Sequence, residues 1–319
     1  MNKDKVITHY FNKIDHLTIT NRKYQSLVDT LIMWLLKTDE IMKDITTKVL
    51  HIEKNQKSKA TIISKQEITL AGVEEVVYLL KKHTTLQYKV FHKDGDYLNV
   101  GDAIIELYGV INEILAYERV ILNILQRFSG IATATYVFIA KLESLQEPPF
   151  IAATRKTNWG LLDKKAVALG GGLTHRLSLS DGILVKDNHL FFLQRLFHLQ
   201  KEEAIVTKAL ELSLKGVKNM LIEIEVEKKE SVISLIETFL KYKTNNVLGV
   251  LLDNFSPSEA KKVLKEVKKQ YDISSIVFEA SGGITGDNIV EWAQTGVDII
   301  SLGALTHSSK AADISLDLL

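Results

Sequence analysis

One stretch concentrates the side chains that could do chemistry. The segment ATRKTNWGLLDKKAVALGGGLTHRLSLSDGILVKDNHL, Ala153 to Leu190, carries Arg155, Lys156, His175, Arg176, Lys186 and His189. A guanidinium presents a planar fork that binds a carboxylate or phosphate in two places. Several such cations around short apolar runs suit a ligand with more than one negative group. Further polar groups follow later apolar runs: Glu225, then Asp253 and Asn254, then Ser281, Gly282 and Gly283, then Gly303 and His307. The two late glycine clusters allow backbone N–H groups to approach a phosphate. Glu223, Glu225 and Glu227 alternate, so all three share one strand face, with Glu225 as the site candidate. Glu225 and Asp253 are suited to holding ribose hydroxyls, a metal ion, or positive charge at a reacting carbon. Lysines 156 and 186 are the acids' bland alternative partners.

The elements that must position these groups are legible as apolar runs. FIAATRK, GILVKDN, LIEIEVE, VLGVLLDN, IVFEASGG and DIISLGA each end in polar residues and precede a helical stretch. Six such units predict buried parallel strands in an α/β barrel or wound sheet, with chemistry at the strands' C-terminal ends. The first third alternates shorter strands and helices and predicts an α/β sandwich. YQSLVDTLIMWLLKTD predicts an amphipathic helix with Leu27, Leu31, Trp34 and Leu35 facing the core. NEILAYERVILNILQRFSG predicts the clearest helix, capped by Gly130, as the joint between domains. Gly170–Gly172 lacks the G-x-G-x-x-G spacing and follows a helical stretch, so it predicts a flexible helix exit that lets His175 and Arg176 swing toward the site.

Composition narrows the classes. The chain has 319 residues, 46% hydrophobic, with a formal net charge of +1 and no cysteine. Thiolate chemistry, disulfides and cysteine-ligated zinc are excluded. A nucleic-acid binder would carry more positive charge. No apolar run reaches the ~18 residues of a spanning helix, so a cytoplasmic location without membrane partners is expected.

The motifs together resemble the quinolinate phosphoribosyltransferase family. They include DITT at Asp44–Thr47, Gly101–Asp102, YERVILNILQRFSGIAT at Tyr117–Thr133, TRKT, GGGLTHRLSLSDGILVKDNH, EIEVE, LLDNF, EASGGI and GVDIISLGALTHS. The resemblance implies an N-terminal α/β sandwich domain, residues 1–118, with 305–319 a candidate to pack back on it. An open, incomplete α/β barrel over 119–304 would carry the catalysis. It implies transfer of the phosphoribosyl group of 5-phosphoribosyl-1-pyrophosphate (PRPP) to quinolinate with loss of CO2, with Mg²⁺ as cofactor. The metal would be held through the substrate pyrophosphate, with Glu225 and Asp253 as candidate ligands. A homodimer or an assembly of dimers is implied, with Arg119 reaching across the interface.

By the same resemblance, Arg155, His175 and Arg176 hold the quinolinate carboxylates. Lys156 and Lys186 lie between quinolinate and pyrophosphate, and Glu225 and Asp253 meet the ribose. Asn188, Ser281, Gly282, Gly283, Gly303 and His307 surround the phosphoribosyl phosphate. One departure stands out: TRKTNWGLLDKK lacks the proline and the arginine of T-R-K-T-x-P-G-L-R, and the loop is shorter. Two other readings of the residues are a Schiff-base aldolase using Lys186 and a non-catalytic sensor of a phosphorylated metabolite.

Overall fold

The computed structural model describes residues 3–50, 52 and 56–319. Among the described residues twelve strands are formed: β1 (Lys57–Ser64), β2 (Ile68–Thr69), β3 (Gln87–Val90), β4 (Tyr97–Leu98), β5 (Ala103–Val110), β6 (Phe150–Ala153), β7 (Ile183–Val185), β8 (Leu221–Val226), β9 (Val247–Leu252), β10 (Ile276–Ala280), β11 (Ile299–Leu302) and β12 (Ile314–Leu318). They belong to two compact units interleaved in sequence. One gathers residues up to Lys13, Phe138–Arg155 and Leu173–Ala304; the other gathers Ile14–Val137, Lys156–Gly172 and Leu305–Leu319.

The first unit holds the six predicted strands as one parallel sheet in the order β6-β11-β10-β9-β8-β7. β6 and β7 do not pair, so the barrel is open. Leu173 partly fills the β6 edge through a parallel bridge to Ala152. The apolar runs become strands because both faces are covered: all six residues of β9 and all five of β10 are buried. The floor is closed by the helix Lys3–Phe11, an element the sequence did not announce. Its Val6, Ile7 and Phe11 pack in one cluster with Ala152, Leu173, Leu221, Val247, Val277 and Ile299. Burying a side chain of that size contributes roughly 1.5–3 kcal/mol.

The second unit is built on an antiparallel sheet of order β12-β1-β5-β3, so the C-terminal strand returns to pair with β1. The helix Arg22–Thr38 is capped by the Asn21 side chain, which accepts from the N–H groups of Lys23 and Tyr24. Its buried stripe is Tyr24, Val28, Ile32 and Leu35. Of the face expected from sequence, Leu35 is buried, whereas Leu27 is 36% and Trp34 55% exposed. The apolar residues on this helix span more than one stripe, so periodicity alone could not choose between them.

The long helix also differs from expectation. It runs unbroken from Ile111 to Ala140, straight through Gly130. Gly130 is no cap: a Cβ there would lie 2.0 Å from the Lys310 carbonyl oxygen. The glycine lets the C-terminal segment lie against the helix, where the Ala312 N–H donates to the Gln126 carbonyl at 2.9 Å.

Candidate active site

Alternation along the barrel strands builds the site in layers. Leu221, Val247, Val277 and Ile299 face the apolar floor. Two residues further along, the same faces carry Glu223, Gly249, Glu279 and Ser301. Beyond them come Glu225, Leu251, Ser281 and Gly303, then Asp253 past the end of β9. In a parallel sheet all these ends lie on one side, so sequence order alone assembles a polar mouth above an apolar base.

The middle layer is a buried ionic cluster. His175 Nε2 lies 3.0 Å from Glu223 Oε2 and 3.3 Å from Glu279 Oε2. Ser301 Oγ donates to the other Glu279 oxygen. His175, Glu223 and Glu279 are all buried. Burial works against the imidazolium, but Glu279 and Glu223 outweigh it and push the His175 pKa up to about 10. Burial and the Glu279 charge, opposed by His175, push Glu223 up to about 7. Space for the cluster comes from β9: Gly249 is the register partner of Glu223, and a Cβ there would lie 3.0 Å from the Glu223 Cβ and Cγ.

The triad offers donor atoms within reach of a metal ion. Its separations equally suit an imidazolium between two carboxylates sharing one proton, a neutral arrangement that needs no ion. The residue is fixed, not swinging: its φ is 53°, and its N–H donates to the Phe11 carbonyl at 2.8 Å. The glycines before it serve other ends. Gly171 turns at φ 92°, and a Cβ on Gly170 would lie 2.3 Å from the Ala132 carbonyl oxygen.

The upper layer keeps its cations unpaired. Arg176 is 8% exposed, and its Nη1 donates to the Gly182 carbonyl at 3.2 Å. Its Nε is buried with no partner. Burial, then the neighbouring Arg155, lowers the Arg176 pKa. Among the described residues, neither Arg155, Arg176 nor Lys186 forms an ion pair. Arg155 and Lys186 are exposed, as is Asn188 at the start of the helix Asp187–Leu196. Two nearby guanidiniums repel one another, and the Glu223 and Asp181 carboxylates only partly oppose the resulting shift of Arg176.

Glu225 is half-buried, and its carboxyl is raised by burial and then by Asp253, against the pull of Lys186. The turn after β10 presses on this acid: a Cβ on Gly282, at φ 89°, would meet Asp253 Oδ1 at 3.0 Å. Gly283, at φ 62°, completes the turn, and its carbonyl accepts from Asn288 Nδ2 at 3.1 Å. Glu227 lies past the strand end and is exposed. The three alternating glutamates therefore divide between buried cluster, mouth and solvent.

The second unit carries the other three sequence-predicted residues. Lys156 and His307 are exposed, and their backbones are close, since Thr306 Oγ1 donates to the Lys156 carbonyl at 2.6 Å. Arg119 is exposed on the long helix, 3.9 Å from its neighbour Glu118. Sequence reasoning missed Glu279, Ser301, Arg127 and Asp163. Glu279 had a signal: an acid inside the apolar run IVFEA needs a buried partner.

Fold and site together define an open α/β-barrel enzyme with an anion-binding mouth at its strand ends. Residues 44–129 match the N-terminal domain of quinolinate phosphoribosyl transferase and residues 131–317 its C-terminal domain. A probable nicotinate-nucleotide pyrophosphorylase [carboxylating] of Methanothermobacter thermautotrophicus is 34% identical over 290 residues, covering 90% of this chain and 98% of the relative. That of Bacillus subtilis is 36% identical over 281 residues, covering 86% and 88%. Among solved structures, the nicotinate-nucleotide pyrophosphorylase of Ehrlichia chaffeensis matches with a TM-score of 0.74 at 35% identity, covering 91% of this chain and 98% of that one. The Francisella tularensis enzyme matches at 0.76 and 30%, covering 92% and 96%. The chain belongs to the quinolinate phosphoribosyltransferase family.

Proposed function

We propose that this protein transfers the phosphoribosyl group of PRPP to quinolinate with loss of CO2, giving nicotinate mononucleotide and pyrophosphate for NAD biosynthesis. The carrying observation is the pair Arg155 and Arg176, neither in an ion pair among the described residues, with the buried Nε of Arg176 lacking a partner. A dianionic pyridine supplies the missing charge. Family membership leaves the imine-forming and sensor readings without support.

Arg155 and Arg176 hold the carboxylates of quinolinate and fix its ring nitrogen against ribose C1. Proximity of this kind supplies much of the rate. A bond forms from the nitrogen to C1 as the bond from C1 to pyrophosphate breaks. Glu225 and Asp253 face the positive charge that C1 develops and stabilise it electrostatically. Lys186 stabilises charge on the departing pyrophosphate, the role that the family resemblance also gives Lys156. The 5-phosphate takes its partners from Ser281, Gly282, Gly283, Gly303 and Asn188, and the resemblance adds His307. His175 acts from within the buried cluster, since its Nε2 is occupied by Glu223 and Glu279.

The pyridine nitrogen, now cationic, stabilises the carbanion left at C2 when CO2 departs, and C2 then takes up a proton. Glu225 and Asp253 would hold Mg²⁺: burial, then the charge of Asp253, raises the Glu225 carboxyl, and a divalent cation would offset the repulsion between the two acids. When bound, it neutralises charge on the pyrophosphate. We further infer a dimer in which exposed Arg119 completes the partner's quinolinate site. The test is incubation of the protein with quinolinate, PRPP and Mg²⁺. Stoichiometric nicotinate mononucleotide, pyrophosphate and CO2 are expected; binding without turnover would overturn the assignment.

A further inference from the structure

The second unit holds two of its proposed substrate-facing residues on one shared anchor. Asp163 is fully buried and Arg127 is 19% exposed at its side chain. Arg127 Nε donates to Asp163 Oδ1 at 3.1 Å and its Nη2 to Oδ2 at 2.9 Å. The same Asp163 Oδ2 accepts from the Thr157 hydroxyl and from the N–H groups of Asn158 and Trp159, both at 3.1 Å. The loop just after Lys156, which belongs to no helix or strand, is thus fastened to one carboxylate.

Arg127 also reaches the other segment. Its Nη2 donates to the Thr306 carbonyl at 2.6 Å, and Thr306 Oγ1 returns a bond to the Lys156 carbonyl at 2.6 Å. His307 is the next residue. The Trp159 ring, which stands where the family's usual proline is absent, lies 5.9 Å from the Arg127 guanidinium carbon and 6.3 Å from the Phe128 ring. A fully satisfied buried ion pair of this kind is better at fixing one arrangement than at adding stability.

We propose that Arg127 and Asp163 form a positioning hub that sets Lys156 and His307 for phosphoribosyl transfer, with Trp159 as its cover. The hub rests on the proposed function through the roles of those two residues. Asp163→Asn keeps side-chain volume but turns an amide N–H toward the Arg127 donors, so the loop loses its register.

The experiment is a double-mutant cycle on the full chain. Initial rates with quinolinate and PRPP, and melting temperatures, are measured for wild type, Asp163→Asn, Lys156→Ala and the double variant. Asp163→Asn is expected to lower kcat 10- to 100-fold, with KM for quinolinate changed less than threefold. Added to Lys156→Ala, it should cost less than tenfold more, because of the two residues it positions only His307 is left. Wild-type kcat in Asp163→Asn, or losses that multiply in the double variant, would overturn the hub.

Should Asp163→Asn fail to fold, Thr306→Val carries the same cycle, with a loss of about 3- to 10-fold expected and the same non-additivity; multiplied losses there reject the hub. Wild-type turnover in Lys156→Ala is distinguishable from these outcomes. It removes the role of Lys156 in the proposed function and the hub with it.

Discussion

Replacing Arg176 with alanine separates binding chemistry from folding. The side chain is almost wholly buried, but among the described residues its hydrogen bond to the protein is the single one from Nη1 to the Gly182 carbonyl at 3.2 Å. Losing a hydrogen bond costs folding on the order of 1 kcal/mol. For a chain of this length that lowers the melting temperature by a few degrees at most. Catalysis should suffer far more. A buried charged hydrogen bond to a ligand carboxylate, once removed, costs on the order of 2–5 kcal/mol. At about 1.36 kcal/mol per decade, kcat/KM for quinolinate should fall roughly 30- to 5,000-fold. The assay is steady-state turnover at saturating PRPP, paired with calorimetry on the same preparation. A variant that melts near wild type and turns over within threefold of it would refute the claim that the unpartnered guanidinium awaits a substrate carboxylate.

Three further outcomes follow from the geometry. Gly249→Ala forces a methyl to 3.0 Å from Glu223, so overpacking should destabilise the fold by roughly 1–3 kcal/mol in chemical denaturation; an unchanged midpoint contradicts the packing argument. Because its carboxyl is raised, Glu225 takes up a proton sooner than an ordinary glutamate as pH falls, so kcat should decline on the acid side. Glu225→Gln should flatten that limb and lower the plateau, and an unaltered limb assigns it to another group. His175, with its pKa pushed up to about 10, should be an imidazolium at pH 8 by nitrogen NMR and lose that charge more readily in Glu279→Gln. Its folded pKa exceeds the unfolded value, so its stabilisation is complete below about 6.5 and disappears as pH rises through about 10. A neutral His175 at pH 8 would contradict the cluster.

The barrel was legible because buried parallel strands are long apolar runs whose last residue is followed by a polar one. That rule placed Lys186, Asp253, Ser281 and Gly303 at strand ends before any coordinates. Alternation put Glu223 and Glu225 on one face, but it carries no depth. Only the register with Gly249, the small residue opposite, reveals that Glu223 is buried with His175 while Glu225 reaches the mouth.

Gly130 read as a cap because a glycine after an amphipathic run often ends a helix; its true role depends on a chain segment about 180 residues away. The hub of Arg127 and Asp163 is invisible for the same reason, since its bonds join three distant segments. The floor helix Lys3–Phe11 eluded the periodicity because its apolar side is short and its partners lie in strands far along the chain.

The most direct measurement offers quinolinate and nicotinate side by side to the wild-type protein with PRPP and Mg²⁺, following mononucleotide formed and CO2 released. A mouth built for two carboxylates should turn over quinolinate with one CO2 per mononucleotide and use nicotinate at least 30-fold less efficiently. Equal or better use of nicotinate, or mononucleotide from quinolinate without CO2, would contradict a site whose two guanidiniums are meant for a dianion.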